Sequence, residues 1–161
     1  MRVVNNTVYF WGGPFSQWYE SEFSDGQNTF CCAEQFMMFN KALIFNDEQI
    51  ADKILRTTDP KKHKQLGREI KGFNQAEWDI IKLIIVEQGN FLKFTSNDEL
   101  KQLILKYDNF VEGSPHDTVW GVGLHYEDDL ILDPKNWKGE NLLGRALLKV
   151  KNKILQQDYL F

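Results

Sequence analysis

The chain of 161 residues lacks most of the short motifs by which catalytic families are usually read. It has no GxGxxG, no GxxxxGK[ST], no HExxH and no CxxC, which removes the dinucleotide fingerprint, the phosphate loop and the common zinc signatures. Its two cysteines, Cys31 and Cys32, are neighbours. On a helix, adjacent residues point about 100° apart, a poor start for chelating one ion or bridging each other. So few cysteines fit a reducing, cytoplasmic compartment. His63, His116 and His125 show no ligand-like spacing, and no Ser or Cys stands in a nucleophile-elbow context. Neither a catalytic metal nor a cofactor is expected. No run approaches the roughly 18 apolar residues of a membrane helix, and "MRVVNNTVYFWGG" has no signal-peptide core, so no membrane partner is expected. A basic excess is missing too: 19 Lys and Arg face 23 Asp and Glu, for a formal net charge of -4. That balance argues against a broad basic face gripping long duplex. It leaves room for a small nucleotide, or one nucleotide at a strand end, in a local basic pocket.

Aromatic residues are plentiful at 14%, with five Trp and twelve Phe. Part of this is core, and part can stack a planar ligand. Hydrophobic residues at 42% and charged residues at 26% describe a soluble globular chain, and the length fits a single domain over 1–161.

Local patterns alternate short strands with longer helices. "RVVNNTVYF" reads as a hairpin turning at Asn5-Asn6, and Asp25-Gly26 as a second turn before Thr29-Phe30. A helix is expected from about Cys32 to Phe45. Others start at Asn46 or Asp47, at Asp59 with Pro60 in the first helical position, at Asn74, and at Ser96 or Asn97. In the Asn74 helix Trp78, Ile81, Ile85 and Gln88 share a face, which marks it as the central buried helix. "NFVEGSPHDTVWGVGLHY" reads as strand, loop, strand. The chain closes on a helix whose last turns are expected to be Lys-rich. The class is α+β: a helix-rich single domain with a few short strands and hairpins.

In "FCCAEQFMMFNKALIF", Glu34, Met37, Met38 and Lys41 fall at i, i+3, i+4 and i+7. A carboxylate and an amine thus lie on one stripe, roughly 10 Å apart along the axis. Either both sit at a rim with Lys41 snorkelling outward, or the helix walls a cleft that shifts both pKa values. "EGSPHDTVWGVG" sets Asp117 and Trp120 among small residues, either a water-activating base with a stacking plate or a Gly-Pro-Asp turn. "FWGGPFSQWY" offers Trp11, Trp18 and Tyr19 beside Ser16 and Gln17, which can hydrogen-bond a base or sugar. "WKGENLLGRAL" places Asn141 and Gly144 at a helix start, a place for an anion. Lys61, Lys62, Lys64, Arg68 and Lys71 form either a solvated face or a phosphate contact.

Taken in order, "FWGGPFSQWY", "AEQFMMFNKALIF", "LGREIKGFNQAEWD", "NFLKF", "VEGSPHDTVWGVGL" and "WKGENLLGRALL" resemble the NADAR superfamily, whose bacterial members are the YbiA-like proteins. The resemblance runs over nearly the whole chain and implies N-glycosidic bond cleavage. One branch hydrolyses ribosylamino-pyrimidine phosphates of early riboflavin synthesis. Another removes ADP-ribose from guanine bases and is paired with ADP-ribosyltransferase toxins. The resemblance implies Glu34 as the carboxylate, Asp117 as a second acid or base, and Lys41 as an amine able to form a Schiff base. It implies substrate contacts from Trp11, Gly12, Ser16 and Trp18, from Trp78 and Lys93, and from Trp120, Gly121, Asn141 and Gly144. The alternative is a protein that binds ADP-ribose or a related nucleotide without cleaving it.

Overall fold

A computed structural model describes residues 1–158. In chain order these form β1 (Arg2–Val4), β2 (Thr7–Phe10), β3 (Phe23–Ser24), β4 (Thr29–Phe30), α1 (Ala33–Ile44), α2 (Glu48–Leu55), α3 (Pro60–Arg68), α4 (Gln75–Thr95), α5 (Asp98–Lys106), β5 (Asn109–Glu112) and α6 (Leu142–Asp158), with 3₁₀ turns at Asp129–Leu132 and Pro134–Asn136. The class is α+β. The chain gathers into two compact units, one of Met1–Ser16 with the segment from Asn97 onward, the other of Gln17–Ser96.

In the first unit β1 and β2 pair antiparallel, Val3 opposite Val8. Asn5 and Asn6 both have positive φ, 48° and 59°, the geometry of a two-residue turn whose twist matches its strands. β5 lies parallel to β2, Val8 opposite Phe110, giving the sheet order β1-β2-β5. Alternation then sorts the side chains: Tyr9 and Val111 join Val122, Leu124 and Ile131 in one apolar cluster. On Phe10, Phe15 and Phe110 the rings meet 5.1 to 5.7 Å apart. α6 packs on β5, and Gly144 makes that approach possible, because a Cβ there would stand 2.0 Å from the Phe110 carbonyl oxygen.

Among the described residues no second strand follows β5; residues 113–128 run as turns. The expected strand fails because the segment's polar groups are satisfied by curling. Val122 N–H donates to the Glu112 carbonyl, Gly123 N–H to that of Asp117, and Lys138 N–H to that of Val122. Lys149, Lys151 and Lys153 run from the middle of α6 into its second half, and its last described turn carries no basic residue.

The second unit is mostly helical, with α1 packed on α2, α3 and α4. Asp47, Asp59 and Asn74 cap α2, α3 and α4, each side-chain oxygen accepting a first-turn N–H. Such a cap contributes about 1 kcal/mol. Every residue of α1 from Ala33 to Phe39 is buried. α4 is buried at Val86, Gly89, Asn90, Lys93 and Phe94, but Ile80 is 79% and Ile84 60% exposed. Trp78 and Ile85 are buried as well, so the expected face is core from the first turn onward, while Gln88 is exposed.

Candidate functional site

α1 holds its two ionisable groups in different ways. Glu34, in the first turn, is only 6% exposed. Its backbone N–H donates to the Gln17 carbonyl at 2.9 Å, which ties the helix start to the chain entering the unit. Lys41, two turns further along the same stripe, is half-buried, and its Nζ donates to the Gly67 carbonyl at 2.9 Å. The same ammonium stands 4.2 Å from the Phe73 ring centre and 5.6 Å from that of Trp78. Burial draws the Lys41 pKa down from the usual amine value, while Glu34 pulls it up. The carbonyl and the two ring faces suit a cation, so the rim arrangement with an anchored head describes Lys41 well.

Lys93 is the more unusual amine. It lies on α4 with no exposed surface, and burial brings its pKa down to about 7, against a smaller upward pull from Cys32. Tyr19 and Phe94 present rings 5.4 and 5.1 Å from its Nζ. These ring faces favour the charged form, but complete desolvation is the larger effect. One turn earlier, Asn90 donates through Nδ2 to Gln17 Oε1 at 2.7 Å and to the Val86 carbonyl at 2.9 Å. Its Oδ1 is buried with no hydrogen-bond partner. Leaving such an acceptor unmet costs about 1–3 kcal/mol. Gln17 also approaches Met37 Sδ, at 3.8 Å from its Nε2. Thus Glu34, Gln17, Asn90 and Lys93 are all polar side chains held in the interior of the 17–96 unit. Asn90 was not a sequence candidate. The available signal was two polar residues at i and i+3 on the stripe Val86, Gly89, Asn90, Lys93.

The cysteines overturn the helical expectation. Cys32 is the N-cap of α1 with extended backbone, φ -163° and ψ 164°, so the pair precedes the helix. Their Sγ atoms lie 3.9 Å apart, and His63 from α3 brings Nδ1 to 3.8 Å from Cys32 Sγ. Burial pushes the Cys32 thiol up to about 12 and holds His63 below the ordinary imidazole value. A hollow of about 170 Å³ beside them is lined by Trp18, Glu20, Cys31, Cys32, Thr58 and Pro60. Trp18 is largely exposed there, with Lys64 Nζ 6.0 Å from its ring. Lys61, Lys62, Lys64, Arg68 and Lys71 are all exposed, as a solvated face requires.

In the other unit, Asp117 is half-buried and turns its carboxylate on its own loop. Oδ1 accepts from Val119 N–H at 2.9 Å and Trp120 N–H at 2.8 Å. Gly121 sits where a Cβ would press on the Glu112 carbonyl oxygen at 2.8 Å. Asn141, with φ 52°, uses both ends of its amide on β5: Oδ1 accepts from Glu112 N–H at 3.0 Å and Nδ2 donates to the Phe110 carbonyl at 2.9 Å. With Gly144 it holds α6 against the strand, which gives both residues a packing role. Gly12 has φ 98° and open space around its Cα, and Ser16 N–H closes the turn on the Gly13 carbonyl. Trp11 is 47% exposed and meets the rings of His116 and His125 edge-on at 6.0 and 5.5 Å. Trp120 is half-buried.

Comparison with known proteins gives this arrangement its family. The chain is 39% identical over 144 residues to N-glycosidase R617 of Acanthamoeba polyphaga mimivirus, covering 85% of each protein. It is 25% identical over 155 residues to N-glycosidase Npun_R5314 of Nostoc punctiforme, covering 92% of each. The NMR structure of the Escherichia coli protein YbiA shares the fold, with a TM-score of 0.79 at 22% identity over 98% of this chain and 90% of that one. Residues 9–155 match the family described as the NADAR domain, and the chain belongs to that family.

Proposed function

We propose that this protein is an N-glycosidase that hydrolyses the bond between C1 of a ribose phosphate and a nucleobase nitrogen. The observation that carries the reading is the polar set buried in the 17–96 unit: a carboxylate at Glu34, an unmet amide oxygen at Asn90 and a desolvated amine at Lys93. A fold does not keep such groups inside an apolar interior for stability, and sites of catalysis are where they accumulate. Two relatives named N-glycosidase, each covering most of this chain, support the reaction class.

The chemistry asks for few parts. As the C1–N bond breaks, the sugar takes on oxocarbenium character, and a carboxylate stabilises that charge or activates the attacking water. Glu34 fills this role. Hydroxyl from water ends on C1, and its proton ends on the departing base nitrogen. An amine opens a covalent variant. It adds to C1 of the ring-opened iminium, expels the base, and leaves a lysine–C1 imine. Water then hydrolyses the imine and returns the amine. Lys93, near neutrality, suits this step better than Lys41, whose ammonium is anchored on Gly67 and Phe73.

For the substrate we take the two classes the family suggests, ADP-ribosylated guanine and the ribosylamino-pyrimidine phosphates of riboflavin synthesis. The test is incubation with each substrate separately and chromatography of the released base. Release from either, lost in Glu34→Gln, supports the reading. Tight binding of both with no base released would replace it with nucleotide sequestration.

A further inference from the structure

The residues Cys31, Cys32 and His63 have no part in the glycosidase reading, yet they come together from α1's N-cap and α3. Both Sγ atoms and a ring nitrogen of His63 lie within 4.8 Å of one another, with Sγ–Sγ at 3.9 Å and Cys32 Sγ–His63 Nδ1 at 3.8 Å. Three ligands in a plane around one ion, at metal–sulfur about 2.3 Å and metal–nitrogen about 2.05 Å, stand about 4.0 Å (S to S) and about 3.8 Å (S to N) apart. A tetrahedral ion needs about 3.8 and 3.6 Å from the same bond lengths. The two neighbouring separations therefore fit either geometry to within a few tenths of an ångström, and only the Cys31–His63 gap has to close.

The histidine is oriented for the task. His63 Nε2 lies 2.7 Å from the Thr57 carbonyl oxygen. A carbonyl only accepts, so Nε2 carries the proton and Nδ1 turns its lone pair on Cys32. A carbonyl accepting from the far ring nitrogen is the usual way a metal-binding imidazole has its tautomer fixed. The ring is fully buried on α3, whose start is set by the Asp59 cap and Pro60. Cys31 N–H donates to Gln35 Oε1 at 2.7 Å, and Gln35 Nε2 donates at 3.0 Å to the Ile54 and Thr57 carbonyls. Thus Gln35 anchors the backbone before Cys32 to the segment whose Thr57 carbonyl orients the histidine. Access comes through the hollow that Cys31 and Cys32 line with Trp18, Glu20, Thr58 and Pro60, where Cys31 is half-buried.

We infer that Cys31, Cys32 and His63 form a binding site for one thiophilic d¹⁰ cation, with Zn(II) as the divalent case and Cu(I) as the monovalent one. Two sulfurs and an imidazole select soft or borderline ions over magnesium and calcium. With Zn(II), both thiols lose their protons to solvent, and two thiolates balance the charge of the ion beside an apolar interior. No redox step is involved. The fourth position faces the hollow, open to a water or an exogenous thiolate.

The test uses the full-length protein, reduced and stripped of metal, titrated with Co(II) and then Zn(II). Only two cysteines exist in the chain, so a thiolate-to-cobalt charge-transfer band reports on this pair alone. The expected result is one equivalent of Co(II) with that band, displacement by Zn(II), and protection of both thiols from alkylation once zinc is bound. Cys31→Ser and His63→Gln should each weaken Zn(II) binding at least tenfold, and Cys32→Ser should remove the band. Absence of a saturable band in the wild-type protein, or zinc that leaves alkylation unchanged, overturns the site and leaves a thiol–imidazole hydrogen bond. Those two wild-type readouts decide the matter even if a variant fails to fold. None of them requires glycosidase activity, so the site stands or falls apart from the proposed reaction.

Discussion

At the scale of single residues, the proposed covalent step can be tested on two lysines of the 17–96 unit held in different surroundings. Lys41 donates to a carbonyl and rests on an aromatic ring, contacts that a guanidinium can imitate. Lys93 is fully enclosed, and burial carries its pKa down to about 7 against a smaller upward pull from Cys32. Lys41→Arg should therefore stay within about tenfold of wild-type turnover, whereas Lys93→Arg should lose at least about a hundredfold, the lower end of what a positioned acid, base or nucleophile contributes. Borohydride added during turnover should trap the sugar on Lys93, located by peptide mass. An adduct on Lys41 would reverse the assignment, and no adduct at all would leave direct attack by water. Asp117 allows an equally clean separation. Its Oδ1 accepts two backbone N–H groups, and an asparagine amide oxygen can accept the same two. Asp117→Asn should preserve the melting temperature in thermal unfolding. If turnover also survives, the residue shapes the loop and is not an acid or base.

Elements show what this sequence can reveal and what it cannot. Asn5-Asn6, Asp47, Asp59 and Asn74 all act where local chemistry predicts, because a cap or a tight turn is decided by a few neighbouring residues. The strand expected after the Asp117 loop fails, since its fate depends on carbonyls at Glu112 and on Lys138, which local alternation does not register. Cys31, Cys32 and His63 meet across 31 residues of chain, so no spacing rule finds them. The Asp47 cap can be tested through pH. Its carboxylate is held below the usual range, first by the Lys71 N–H and then by that of Ile50, against an opposing effect of burial. A depressed carboxyl contributes stability that is present above its unfolded value of 3.8 and is lost as pH falls through the lower folded value. Asp47→Ala should thus lower Tm at neutral pH, by about 2–4 °C. The difference from wild type should shrink below pH 3.8, because the missing group no longer titrates. A constant difference across that window would assign the loss to packing. Gly144→Ala tests the α6–β5 contact. In an open helix alanine gains about 1 kcal/mol over glycine. Here its Cβ would stand 2.0 Å from the Phe110 carbonyl oxygen, so overpacking at the upper end, about 3 kcal/mol, should win and leave a net fall in Tm of about 4–8 °C.

For the whole molecule the governing quantity is charge. A net charge of -4 repels a polyanion at long range, and the exposed basic run from Lys61 to Lys71 opposes this only locally. Among the described residues, no helix is long and apolar enough to cross a membrane. A free ribosyl phosphate or dinucleotide brings one or two phosphates to the site. A modified base on a nucleic-acid strand brings its neighbours too, and each further phosphate neutralised adds about 0.7 to the slope of log affinity against log salt for a single strand. Measured as log(1/KM) against log salt with both substrates, the acidic balance predicts a slope shallower than about -1.5 on the substrate that turns over. Lys61→Ala combined with Lys64→Ala should then leave it unchanged. A slope steeper than about -2, reduced by that double change, would mean that three or more phosphates are gripped and that the α3 face contacts the strand. In that case the substrate class moves from a small nucleotide to the end of a nucleic acid, and the aromatic surplus, exposed at Trp11 and Trp18, is the place to look for stacked bases.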